Sequence, residues 1–307
     1  MLHLFIINPA AGSRDRTKHY TKLIEKACKE RELSYRIHVS RAPGDCKVTA
    51  RAAAETGEPV KIYACGGDGT LNEVVDGAAG FDNAAVTVFS GGSGNDFTKL
   101  FDDPDAFRDI DRLLDSEEIT FDLLDCCGQK SLNICSVGLD ARIAADVANY
   151  KRIPLLSGFR AYAVSVLINV FKGISEHYRV EIEGETLDQE FTLLCACNGR
   201  YYGGGFNPVP EADPTDGLMD VLLVKKVSLL QIPLVIGKYK DGKYKELSQY
   251  IRHVKTKAIT ILCDHDIPVN VDGEIVKTRK VEISLAKEKL RFFYPKGLTW
   301  SKQPVNV

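Results

Sequence analysis

The chain has 307 residues, 44% hydrophobic and 27% charged, an ordinary globular composition with apolar mass for one large core or two of usual size. Its net charge of -2 argues against a protein dominated by nucleic-acid electrostatics, so no nucleic-acid partner is expected. The nine cysteines are scattered, and the closest pairs, Cys126-Cys127 and Cys195-x-Cys197, lack zinc spacing, so they read as reduced thiols of a cytoplasmic protein.

The first apolar run, residues 4–7, is followed at once by Asn8-Pro9 and is too short for a signal peptide. The longest, residues 161–171, is interrupted by Ser165 and Asn169 and falls short of the ~20 residues that a membrane span needs. No transmembrane segment is expected, and any membrane contact should be peripheral.

Strand, glycine turn and helix recur three times in the first hundred residues. Residues 2–7 read as a strand, Asn8-Pro9-Ala10-Ala11-Gly12-Ser13 as a turn, and residues 15–30 as a helix with Leu23, Ile24 and Ala27 on one face. A strand at 35–39 and a helix at 45–55 follow. The second copy is the strand 60–65, the turn Gly66-Gly67-Asp68-Gly69-Thr70-Leu71-Asn72-Glu73 and a helix through 79. The third is the strand 86–89, then Ser90-Gly91-Gly92-Ser93-Gly94-Asn95-Asp96-Phe97 opening a short helix. Strands alternating with helices imply a parallel sheet whose carboxyl-edge loops lie together.

Glycines at a strand-to-helix turn let a bulky anion approach the main chain, where backbone N–H groups and the helix dipole favour negative charge. A phosphate is the natural guest. An isolated pair of glycines would be no more than a tight turn capped by Asp68 or Thr70, but three such turns on one edge make a phosphate cradle. No GxxxxGK[ST] occurs, and no GxGxxG follows the first strand, so neither a P-loop nor a dinucleotide Rossmann site is expected.

After Asp122-Leu123 the pattern changes to short β-rich runs, at 131–137, 178–182, 191–197, 219–224, 258–263, 267–271, 281–285 and 290–294, with helical stretches at 140–149 and 159–171. The expectation is an α/β domain over 1–123, which residues 288–307 could rejoin, and a β-sandwich domain over 124–287. Three polar clusters exceed what a sandwich requires: Asp122-Leu123 with Asn133, Gly138 and Asp140; Asn198-Gly199 and Gly203-Gly204-Gly205 leading to Asp213-Pro214-Thr215-Asp216-Gly217-Leu218-Met219-Asp220; and Asn270-Val271-Asp272-Gly273-Glu274, otherwise a plain hairpin turn. A basic run, Lys238, Lys240, Lys243, Lys245, Arg252, Lys255 and Lys257, reads as a solvated surface or a docking face for anionic lipid.

Gly66-Gly67-Asp68-Gly69-Thr70 with Asn72-Glu73 resembles the nucleotide-binding signature of the diacylglycerol-kinase catalytic domain, found in bacterial soluble diacylglycerol kinases and in sphingosine and ceramide kinases. The resemblance runs in order from Asn8 to Glu274. It implies an α/β domain with a parallel sheet, a C-terminal β-sandwich domain and an active site in the cleft between them. It also implies an ATP-dependent lipid kinase acting on a membrane alcohol such as diacylglycerol. By the same resemblance, Asn8, Gly12, Ser40, Gly66, Gly67, Asp68, Gly69, Thr70, Asn72, Glu73, Ser93 and Asn95 would hold ATP, with Ser40 and Ser93 keeping a hydroxyl where the family often has Thr. Asp216 would bind Mg²⁺ with carbonyls of Asp213 and Leu218, Asp122 would join that carboxylate network, and Glu274 or Asp272, then Asp68, would be the general base. A homodimer stays open. The alternatives are NAD-kinase-like phosphorylation of a soluble alcohol, against which Asn72-Glu73 abut the glycine turn, and a non-catalytic nucleotide or lipid binder.

Overall fold

The computed structural model describes residues 1–12, 14–92, 94–150 and 173–300. The helix expected at 159–171 and the site residue Ser93 lie outside the described residues. The chain divides into two compact units. The first comprises Met1–Leu123, Tyr201–Gly205 and Ala286–Val307, the second Leu124–Arg200 and Phe206–Leu285. The short loop Tyr201–Gly205, which the sequence reading placed in the second domain, belongs to the first.

In the first unit, β1 (Leu2–Ile7), β2 (Tyr35–Val39), β3 (Val60–Gly66) and β4 (Ala84–Ser90) alternate with α1 (Thr17–Glu30), α2 (Asp45–Ala54) and α3 (Asp68–Ala78). The sheet runs β2-β1-β3-β4-β15-β5, where β5 is Ser116–Phe121 and β15 is Leu290–Pro295. The first five strands are parallel and β5 is antiparallel at the edge. All seven residues of β4 are buried, as expected of a parallel strand covered on both faces. The edge strand β2 is half-exposed. The returning β15 packs Phe292 and Phe293 among Phe97, Phe121 and Tyr63, so the last strand completes the first core. Asp122, at the exit of β5, is buried and ion-paired with Lys289 at 2.7 Å, a second tie of the returning segment to this unit.

The second unit is one continuous nine-stranded β structure, in the order β12 (Ile251–Thr256), β11 (Met219–Lys225), β10, β8, β13, β14 (Glu274–Leu285), β6 (Leu124–Cys126) and β7 (Gln129–Ser131), with β9 (Glu176–Ile182) pairing β10 and β13. The long strands β10 (Glu185–Cys197) and β13 (Ala258–Val271) each serve two neighbours. Their outer halves pair with β9 and their inner halves with β8 (Ile134–Gly138). Register shifts at Phe191/Leu193 and Leu262/Ile267 mark the changeover. Such irregularities bend strands from one layer into the other, which is how a sheet folds over its own core. That core holds Tyr178, Val180, Phe191, Leu194, Val221, Ile261, Val269 and Val281.

Candidate active site

The carboxyl ends of β1, β3 and β4 lie side by side in the sheet, so the glycine turns after β3 and β4 meet, as the strand alternation predicts. Gly91 and Gly92 donate N–H bonds to the Gly66 carbonyl at 2.7 and 3.2 Å. The two turns approach so closely that a Cβ on Gly92 would lie 2.5 Å from the Gly67 Cα, and one on Gly66 would lie 2.3 Å from Thr70 Oγ1. Real Cβ atoms do not approach that closely, so Gly92 is dictated by packing of loop on loop and Gly66 by the Thr70 side chain within its own turn. Gly12, at φ +85°, brings the first turn beside the same place, 3.0 Å from the Gly91 carbonyl for a built Cβ. Asn8 donates from Nδ2 to Thr70 Oγ1 at 3.0 Å, joining the first turn to the second.

Asp68 is the first residue of α3, after Gly67 in extended conformation. Its Oδ1 accepts the Asp96 N–H at 2.6 Å, and its Oδ2 lies where a Cβ on Gly94 would stand, 2.4 Å away. Burial, and then the negative charge of Asp96, hold the Asp68 carboxyl above the ordinary aspartate range. Asp96 is buried and divided between Lys99 Nζ on Oδ1 at 2.5 Å and the Gly204 N–H on Oδ2 at 2.8 Å. The Gly203-Gly204-Gly205 turn is thereby pinned to the third glycine loop, and Lys99 lies over the Tyr201 ring.

Several polar atoms at these turns are buried with no protein partner: Tyr20 OH, Asn72 Oδ1, Ser90 Oγ and Asn95 Oδ1. A buried polar atom left unsatisfied costs ~1–3 kcal/mol, so four around one set of loops mark a place where a polar ligand completes the bonding. Asn95 also sits at φ +48°, its Nδ2 donating to the Gly92 carbonyl. Two other residues expected at the nucleotide site have structural partners. Glu73 accepts the Cys46 N–H at 3.2 Å, capping α2, and Ser40 lies buried at the end of β2 with its N–H on the Ile7 carbonyl. Gly69 is exposed. Tyr20 and Ser90 escaped the sequence reading, since a tyrosine on an amphipathic helix carries no signal that its hydroxyl reaches a loop seventy residues away.

The expected acids of the second unit are differently placed. Asp272, at φ +47° in its hairpin, accepts the N–H groups of Leu132, Asn133 and Ile134 at 2.7, 3.1 and 2.8 Å. Its carboxylate holds the turn between β7 (Gln129–Ser131) and β8, so a role as base would compete with three amide bonds. Glu274, two residues on, is exposed at the start of β14 (Glu274–Leu285). Asp216 accepts the Leu218 N–H at 3.0 Å on Oδ1 and pairs with Lys255 Nζ at 2.7 Å on Oδ2, and the Asp213 carbonyl accepts the Asp216 N–H. An ammonium therefore stands where a Mg²⁺ held by Asp216 would have to be. Asp122 is likewise taken by Lys289. As arranged, neither site fits a divalent ion, and no step is routed through one there. Lys255 also reaches Asp220, whose other oxygen bonds His253 at 2.6 Å.

The glycine-turn geometry, a parallel sheet and a β-sandwich-like second unit set the chain apart from P-loop and Rossmann proteins. Residues 3–126 match the diacylglycerol kinase catalytic domain, and residues 133–294 match the YegS C-terminal NAD kinase beta sandwich-like domain. The chain belongs to this lipid-kinase family. Curated relatives from Staphylococcus aureus strains JH9 and MRSA252, whose names propose a lipid kinase, are 25% identical over 73% of this chain and 73% of theirs. A solved structure described as a diacylglycerol kinase from Bacillus anthracis str. Sterne superposes with a TM-score of 0.69 at 21% identity, covering 97% of this chain and 98% of that one. A second from the same organism gives 0.70 at 22%, covering 97% of each. At that identity the structures establish the shared fold.

Proposed function

We propose that this chain transfers the γ-phosphoryl group of ATP to a hydroxyl of a membrane lipid, diacylglycerol first among the candidates. The observation that carries the reading is the group of buried, unpartnered polar atoms at the glycine turns, beside an aspartate held above its usual pKa. Phosphoryl transfer asks a protein mainly to position groups and to stabilise charge. The glycine turns would hold the phosphates through backbone N–H groups, with Ser90 and Asn95 supplying side-chain contacts. Asp68 carries hard oxygen donors that suit Mg²⁺, which would neutralise phosphate charge when bound with the nucleotide. With Asp272 engaged by three amides, Glu274 is the preferred general base.

The lipid side of the reading gains support from a segment the sequence reading passed over. Leu229, Leu230 and Leu234 are 55%, 92% and 51% exposed, at and just before the helix Ile232–Lys240. Lys225 precedes them and Lys240 follows, Lys226 and Lys238 being paired with Glu190 and Glu246, and residues 221–240 contain no Asp or Glu. Exposed leucines flanked by cations suit the surface of an anionic bilayer. In the basic run read as a solvated surface or a docking face, Lys238, Lys245, Arg252 and Lys255 are already paired with Glu246, Glu211, Glu185 and Asp216, which shifts the proposed contact toward Leu230. Among the described residues no helix is long and apolar enough to cross a membrane.

The test is labelled ATP offered with a panel of diacylglycerol, sphingoid bases and NAD, followed by identification of the labelled product. Label in the lipid fraction, lost in Glu274→Gln, is the expected result. Label in NAD alone would favour the NAD-kinase reading, and none in any acceptor would favour a binding protein.

A further inference from the structure

Away from the glycine turns, on the second unit, three side chains of different donor chemistry converge. Strand β13 pairs Leu262 with Lys280 and Ile267 with Thr278 of β14, so residues 263–266 bulge out opposite Arg279 alone. Before the bulge β13 runs in register with β9, and extending that register sets His265 opposite Glu176. His265 Nε2 lies 2.6 Å from Glu176 Oε1, and Cys263 Sγ lies 3.5 and 4.0 Å from the two imidazole nitrogens. One atom from each residue falls within 4.8 Å of the others.

We propose that Glu176, Cys263 and His265 bind a thiophilic divalent cation, Zn²⁺ by chemistry. A thiolate, an imidazole and a carboxylate together suit zinc and disfavour Mg²⁺, which takes oxygen ligands. Metal–ligand bonds of ~2.0–2.3 Å in a tetrahedron place neighbouring donors about 3.4–3.6 Å apart, so movements of under about 1 Å convert this cluster into a coordination shell. The surroundings orient it. Asp264 Oδ1 lies 2.7 Å from His265 Nδ1, the carboxylate–imidazole arrangement that turns Nε2 toward a metal, and Tyr178 donates to Glu176 Oε2 at 2.6 Å, turning Oε1 inward. His265 remains more than half exposed, so the fourth position is open to water and the ion exchanges readily. Bound metal would clamp the bulge of β13 to the first residue of β9, a junction on which both layers of this unit depend.

The probe is Co²⁺ alone, then Zn²⁺ in competition, with the full chain under reducing conditions. One Co²⁺ per chain, absorbing through a thiolate-to-cobalt charge-transfer band and displaced by Zn²⁺, is the expected result. Cys263→Ser should abolish the band, and His265→Ala should weaken binding at least ~10-fold. Asp264→Asn, acting through His265, should keep the band but weaken binding by roughly 10-fold. Cys127, the most exposed cysteine among the described residues, supplies the control, and Cys127→Ser should leave the spectrum unchanged. A band that survives Cys263→Ser, a band lost in Cys127→Ser, or no saturable uptake of either ion would each overturn the assignment. None of these readouts depends on kinase activity.

Discussion

The motif residues of the two units differ in how their polar groups are used. At the glycine turns of the first, Tyr20, Asn72, Ser90 and Asn95 each keep a buried atom without a partner, and Asp68 is held close to Asp96. In the second, Asp272 is saturated by three amides, Asp216 by Lys255 and Leu218, and Asp220 by His253 and Lys255. Unfinished hydrogen bonding marks the surface that awaits a ligand, while a carboxylate that a motif nominates for chemistry can turn out to be a strut.

The sharpest way to break this comparison is Gly92→Ala. Its Cβ meets backbone in Gly67, so the two turns must part, and phosphoryl transfer is expected to fall ~10²-fold or more, in the manner of losing positioned transition-state donors. Parent-like turnover in this variant would mean the turns do not hold the phosphates. Asp272→Ala should act on stability instead, costing about 2–4 kcal/mol in denaturant unfolding because three amides lose a charged acceptor. An unaltered midpoint, with activity lost, would return Asp272 to chemistry.

A smaller effect should come from Lys255→Met. Lys255 is partly exposed, so about 1 kcal/mol or less of stability is at stake, but the variant leaves Asp216 and Asp220 without their cation. Its melting temperature should become sensitive to Mg²⁺ where the parent's is not, as differential scanning fluorimetry would record. The subtlest expectation concerns Asp96→Asn, which keeps an acceptor for the Gly204 N–H but removes a charge that raises the Asp68 pKa. Activity that needs ionised Asp68 falls as pH drops through that raised pKa, so the acid limb of kcat/KM should move to lower pH in the variant. A limb that stays in place would show that another group governs it.

The first unit was nearly all legible, because buried parallel strands read as unbroken apolar runs: the strands expected at 2–7 and 35–39 are the ones observed. Parts of the second were hidden by polar residues with structural work. The single strand expected at 131–137 is two, broken at Leu132-Asn133 where Asp272 takes the amides. The two expected at 258–263 and 267–271 are one, because Asp264-His265-Asp266 read as a loop and is a bulge. The polar half of β10, residues 185–190, and the strand β12 (Ile251–Thr256) within the basic run went unrecognised because polar and charged residues break up their apolar pattern. In the candidate site, the glycines and Asp68 were legible from spacing, whereas Tyr20 and the Lys255 pairing depend on chain reversals that no local pattern encodes.

The central claim is that Asp68 is kept for phosphoryl transfer at a cost to the fold. A carboxyl whose pKa is raised in the native state contributes stability at low pH that disappears as pH rises through the raised value, so at neutral pH the ionised group is a burden. The decisive measurement is therefore turnover and thermal unfolding of Asp68→Asn side by side at neutral pH. The account predicts a melting temperature equal to or above the parent's, with lipid phosphorylation down by about 10²-fold or more. A variant that melts lower and still phosphorylates lipid at the parent rate would contradict it.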